Sequence, residues 1–458
     1  MIAFNWNYTG VSVVASTTSI AWIVVDYHRS LRSFLPVKAK QGWGSSVAYF
    51  LWKADFMLNM FGLVLFFLDM VLDILAVVDF YQEEDYVSMG VLIFLLLGSS
   101  VLLQIFSWLW YNYSSEEESM CLSKYMYLEK YLKNRIFCGV LHVCQLGVFL
   151  RFAGVMEISL RNLKTRTAKK EGIAVYLTHD LRMLRLIETF SESAPQLTLM
   201  ITIILQRENV EWVTGLKTLG SFAAISISVV MYHRSMRSFQ TEKARMTVTS
   251  SLVFFLWNFL LIAPRVAAIA LFASTLPLGM IAVHFICLWL TLFLWAWRQK
   301  TDFMESPGGE WLYRATVALI WYFSWFNVSH GGSKRRRIIY HSMIAVDIML
   351  LLGWWWCWHS DQDPSIFGMP ALAVFISVGG SYTVGIMVMI AYYKILHPNK
   401  TATEESRDDE RAPACLGEEL VGEDTVDTRL PVMLQPPSQR PLTGAEKRRK
   451  KLADNFYS

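Results

Sequence analysis

Charge is scarce in this sequence: 17% of its 458 residues are Asp, Glu, Lys or Arg, against 54% hydrophobic and 14% aromatic. A soluble domain carries about 25% charged residues, so an ordinary water-facing surface is excluded and a membrane-embedded chain is indicated. Cysteine is sparse as well. The six present are scattered without CxxC spacing, four of them inside apolar runs, which argues against a disulfide framework and a zinc site. GxSxG, HExxH and Gly-rich phosphate loops are missing. The neighbours His179 and Asp180 stand at a membrane boundary with no nucleophile in motif context. No enzyme, metal centre or cofactor is therefore expected. The net charge of +4 does not point to nucleic acid, because the basic residues flank apolar runs, where they set orientation. Val11 to Val25 lacks the flanks of a cleavable signal peptide.

What is abundant is apolar sequence in runs of the length, about 20 residues, that crosses a bilayer as a helix. The basic loops 159–174, 232–245, 298–301 and 330–337 belong in the cytoplasm, and the acidic stretches 79–86 and 360–365 outside. Threading the chain through these assignments predicts eight crossings: 56–80, 87–110, 175–206, 211–231, 248–271, 276–297, 337–359 and 366–393. The runs 136–158 and 311–327 have basic residues on both sides. They read as two re-entrant or half-buried helices, tolerated only where protein covers their backbone. Residues 11–26 add an extra N-terminal span. The fold class is thus an all-α polytopic membrane protein with a membrane domain over 53–400. The polar segment 401–458 reads as a disordered cytoplasmic tail ending in the basic run EKRRKK.

A few charges lie inside these runs, where each costs roughly 2.5–3.5 kcal/mol on insertion scales. Asp69 and Asp73 are one helical turn apart and share a face, and Asp55 lies on nearly the same stripe. Arg182, Arg185, Glu188 and Glu192 step by three or four residues along one face, just before Pro195, which should kink that helix. Arg265 follows Pro264 inside 248–271, and Arg234 lies just after 211–231. Such groups either pair to hold a bundle together or form a polar track for head groups or ions.

One phrase occurs twice, as YHRSLRSF at Tyr27 to Phe34 and as YHRSMRSF at Tyr232 to Phe239. The similarity covers about residues 9 to 52. Together with LFFLDMVLD, MLRLIETFSESAPQLTL, SSLVFFLWNFLLIAPRVAAIALF, TDFMESPGGEWLYRATVALIWYFSWFNVSHG and the closing ILHP, the second copy resembles the XK-related family, and within it the caspase-activated branch. The likeness extends over about residues 53 to 400.

That resemblance implies energy-independent scrambling of phospholipids at the plasma membrane, exposing phosphatidylserine on apoptotic cells. The family's head-group path maps onto Asp55, Asp69, Asp73, Glu188, Glu192, Arg234 and Arg265, with Arg185 counterbalancing the acidic residues. The resemblance makes Asp424 to Asp427 an effector-caspase site, with a cut after Asp427 releasing residues 428–458 to relieve inhibition. It also implies a single-pass glycoprotein chaperone as partner. Met231 stands where the family commonly has aspartate before YHR. Residues 1–52 read as a duplicated family fragment, joined by gene fusion or by an error of the gene model. The reading from another class is a solute transporter, channel or accessory subunit, since transporters share internal repetition and intramembrane charge; a membrane adaptor is a third.

Overall fold

The computed structural model describes residues 60, 63–64, 66–67, 69–112, 127–128, 134–165, 168–207, 212–239, 248–328, 333–360, 365–366 and 369–396. They are helical almost throughout. The one strand pairing among them is an antiparallel pair of two-residue strands, Ser365–Ile366 with Met369–Pro370. Twelve helices are numbered here: α1 (69–82), α2 (Tyr86–Asn112), α3 (Arg135–Val143), α4 (Gly147–Thr165), α5 (Ala168–Glu188), α6 (Ala194–Arg207), α7 (Trp212–Phe239), α8 (Val248–Ser274), α9 (Leu278–Arg298), α10 (Pro307–Phe323), α11 (Ser333–Ser360) and α12 (Ala371–Ala391).

Six helices among the described residues are long and apolar enough to cross a membrane: α2, α7, α8, α9, α11 and α12; the bent pair α3 and α4 makes up to seven. The expected spans 87–110, 211–231, 248–271, 276–297, 337–359 and 366–393 coincide with these six. Of the expected span 56–80, α1 supplies the inner-sequence end. The expected span 175–206 is helical along its length but carries Arg182, Arg185, Glu188 and Glu192, and it is not one of the six.

Pro195 does not stop that helix. The chain passes from α5 into α6 through a single π-helical turn, Thr189–Ser193, which accommodates the hydrogen bond that a proline nitrogen cannot donate. The run 136–158 folds into a hairpin: α3 and α4 meet at 117°. Asn134 starts α3 by accepting from the amides of Ile136 and Phe137. Gln145 turns the chain with a left-handed φ of 64°. Gly147 follows because a Cβ there would lie 2.2 Å from the His142 ring and 2.3 Å from Gln104 Oε1.

The run 311–327 becomes α10, which is mostly buried. Ser306 caps it, with Pro307 in the first turn. Its Glu310 carboxylate turns back to accept from the amides of Phe303 (2.9 Å) and Met304 (2.7 Å) and from the Thr301 hydroxyl (2.5 Å).

At the centre stands α8, packed against α12, α6, α7 and α11. Pro264 lies inside it, so the carbonyl of Leu260 four residues earlier has no proline N–H to accept. Helix α12 closes on that place through Gly385, where a Cβ would sit 2.9 Å from the Leu260 carbonyl oxygen. Gly385→Val should therefore cost about 1–3 kcal/mol by overpacking. Gly380→Val on the same helix meets nothing within 4 Å and should be neutral. Melting of the two purified variants in detergent checks the contrast.

Candidate functional site

The i, i+4 spacing of Asp69 and Asp73 on α1 and the position of Glu192 in the π-turn bring three carboxylates together. Their nearest oxygens all lie within 4.8 Å of one another. Gln196, one turn into α6, donates to Asp73 Oδ1 at 2.7 Å. Arg185 on α5 donates to Glu188 Oε1 at 2.6 Å, and its guanidinium lies over the Phe66 ring at 4.8 Å. Asp73 and Glu188 are buried, while Asp69 and Glu192 are partly open. Like charges so close repel strongly in a medium of low permittivity. The Arg185 guanidinium and the Gln196 amide offset part of that repulsion. An all-oxygen set with this spacing offers the ligand atoms that suit a hard divalent cation or the cationic part of a lipid head group.

Arg265 belongs to a second cluster. Its side chain is fully buried, donates to Asp347 Oδ2 at 2.5 Å and gives its Nε hydrogen to the Tyr322 carbonyl at 3.0 Å. His284 bridges the other Asp347 oxygen (3.1 Å) and the Tyr322 hydroxyl (3.1 Å). Four helices, α8, α9, α10 and α11, are tied together at this point. Arg234 on α7 is buried and donates to the Ser251 hydroxyl on α8.

A third polar cluster lies at the hairpin. Arg151 on α4 reaches Asp180 on α5 (3.4 Å), the Ser107 carbonyl (3.0 Å) and the Ser107 hydroxyl (3.3 Å), over the Tyr111 ring at 3.8 Å. His142 on α3 meets the same Ser107 hydroxyl at 3.0 Å.

The structure thus gathers Asp69, Asp73, Arg185, Glu188 and Glu192 into one neighbourhood and sets Arg234 and Arg265 in other contacts. Met231 is buried one turn before Arg234. Asp55, Asp424 and Asp427, with the whole of 1–52 and 401–458, lie outside the described residues. Several residues of these clusters were not singled out from sequence, Asp347, Arg151, Gln196 and His284 among them. Asp347 and Arg151 were visible as charges inside apolar runs, the signal that had flagged Arg265. Gln196 and His284 carry no such signal.

With this geometry in view, comparison with known proteins is direct. The XK-related protein family matches the chain twice, over residues 2–58 and over 57–398. XK-related protein 8 of Tetraodon nigroviridis is 41% identical over 407 residues, 88% of this chain and 96% of that protein. Its namesake in Gasterosteus aculeatus is 43% identical over 364 residues, covering 78% and 86%, and that of Pan troglodytes 37% over 354, covering 75% and 84%.

Proposed function

This chain belongs to the XK-related family, and we propose that it is a phospholipid scramblase of the plasma membrane, activated when an effector caspase cuts its tail after Asp427. The observation that carries the reading is the carboxylate group Asp69, Asp73 and Glu192, held with Gln196 and the Arg185–Glu188 pair inside the helical bundle. Acidic oxygens suit the cationic ends of choline, ethanolamine and serine head groups. Arg185 faces their phosphate. A path of this kind solvates a head group while the acyl chains stay in lipid, so it lowers the barrier for several lipids without selecting one. The movement is downhill.

The reading includes eight crossings, with α1 and the α5–α6 run added to the six apolar spans, and α3–α4 and α10 as hairpin or half-buried elements. The C-terminus is cytoplasmic, where a caspase reaches it. A single-pass glycoprotein assists delivery to the surface.

Cells that express the chain truncated after Asp427 test this. They should bind a phosphatidylserine probe without any apoptotic trigger and still exclude a small polar dye. Cells that stay unlabelled with the truncated chain at their surface would reject the reading.

A further inference from the structure

The hairpin α3–α4 exposes a polar group where a membrane protein ordinarily shows none. Ser100 is fourteen residues after Tyr86 in the 27-residue α2, about 21 Å along a helix about 40 Å long. It lies near the middle of that helix, and a crossing centred in the bilayer puts it near the midplane. Its hydroxyl donates to Gln145 Oε1 at 2.6 Å, so the tip of the hairpin lies at the same depth. Gln145 itself is exposed, between exposed Cys144 and Leu146. Its oxygen is met by Ser100, but an exposed amide NH2 left in hydrocarbon still costs several kcal/mol, so this notch calls for water or a polar head group.

Its position is fixed, not accidental. Gln104 one turn along α2 donates to the Gln145 carbonyl at 3.1 Å and accepts from the Gly147 amide at 2.9 Å. The left-handed backbone of Gln145 and the absent side chain of Gly147 are what let the two amides meet. On the other side, Ser99 forms a 2.7 Å hydrogen bond with Ser191, the neighbour of Glu192. Adjacent hydroxyls of one helix therefore reach the carboxylate group and the hairpin tip. Ser100, Gln104 and Ser107 continue along one stripe of α2 to Arg151 and Asp180.

We propose that Gln145 and Ser100 form the midplane station of the head-group path, receiving head groups from the carboxylate group and passing them along the hairpin. The proposal rests on the scramblase reading above. An amide and a hydroxyl donate to phosphate and accept from ammonium alike, so the station takes zwitterionic and anionic head groups equally.

The test has two arms. In full-length protein carrying Cys144→Ser, Gln145→Cys in liposomes should react with a charged, membrane-impermeant methanethiosulfonate at least ten times faster than Val143→Cys, with the chain lacking the new cysteine as blank. Val143 is more exposed, at 83%, but is itself apolar and, on this proposal, sits against acyl chains and not in the notch. Equal rates overturn the proposal. In the second arm, Gln145→Leu should slow transbilayer movement of labelled phosphatidylcholine and phosphatidylserine at least five-fold in caspase-treated protein, and Gln145→Asn should restore most of it. A Gln145→Leu protein that melts like wild type and scrambles at the wild-type rate overturns this proposal alone. A wild-type chain, cut or uncut, that moves no lipid overturns the scramblase reading and the proposal together, while the labelling arm still reports whether the notch is wet.

Discussion

Asp347→Ala should leave little folded protein. The substitution strips the fully buried Arg265 of its carboxylate and takes the acceptor from His284 at the same time. Pairing repays the cost of desolvating both ions only while both are present, and removing one partner typically costs about 3–5 kcal/mol. The remaining hydrogen bond, from Arg265 Nε to the Tyr322 carbonyl, does not neutralise the charge. Surface delivery and the monodisperse fraction in detergent should both collapse. The double variant Arg265→Met with Asp347→Leu should recover most of the protein, because an apolar pair of similar volume avoids the desolvation altogether. Wild-type yield and melting of Asp347→Ala would refute the assignment of this cluster as the tie between α8, α9, α10 and α11.

The largest functional effect is expected from Asp427→Ala. An effector caspase cuts after aspartate, so this change removes the cleavable bond, and Asp424→Ala weakens recognition three residues earlier. Residues 428–458, with their basic EKRRKK run, then stay attached to the membrane domain. Apoptotic exposure of phosphatidylserine should fall to the level of cells without the protein for Asp427→Ala, and partially for Asp424→Ala. A tail fragment released from the Asp427→Ala chain, or exposure at the wild-type level, would move the switch elsewhere.

How much of this was legible beforehand follows from the physics of each signal. Helical period and charge scarcity marked the six apolar spans and set Asp69 with Asp73, and Glu188 with Glu192, on shared faces, because those are local properties of a helix. The hairpin and α10 were legible as apolar runs flanked by basic residues on both sides. Pairings across long separations were not. Nothing in the sequence couples Arg265 to Asp347, 82 residues later, or Arg151 to Ser107. Rules of intramembrane charge flag each member singly and leave the partner open. The π-turn was likewise hidden: Pro195 announced a disturbance, but its form depends on how α5 and α6 pack. Gly385 showed nothing until Pro264 and the Leu260 carbonyl were set opposite it. The doubled YHR phrase, by contrast, was plain in sequence, and the family matches the chain in two separate stretches, 2–58 and 57–398, which meet a few residues after the end of the repeat at about residue 52.

The central claim is that this bundle passes lipid head groups across the membrane. Its most direct measurement uses full-length protein in liposomes that carry a fluorescent lipid in both leaflets, before and after effector caspase. Dithionite added outside should quench about half of the fluorescence before cleavage and nearly all of it after, with trapped solute retained throughout. Quenching that stops at half after complete cleavage, or leakage of solute with lipid asymmetry intact, would contradict the account, and leakage would favour a solute transporter or channel.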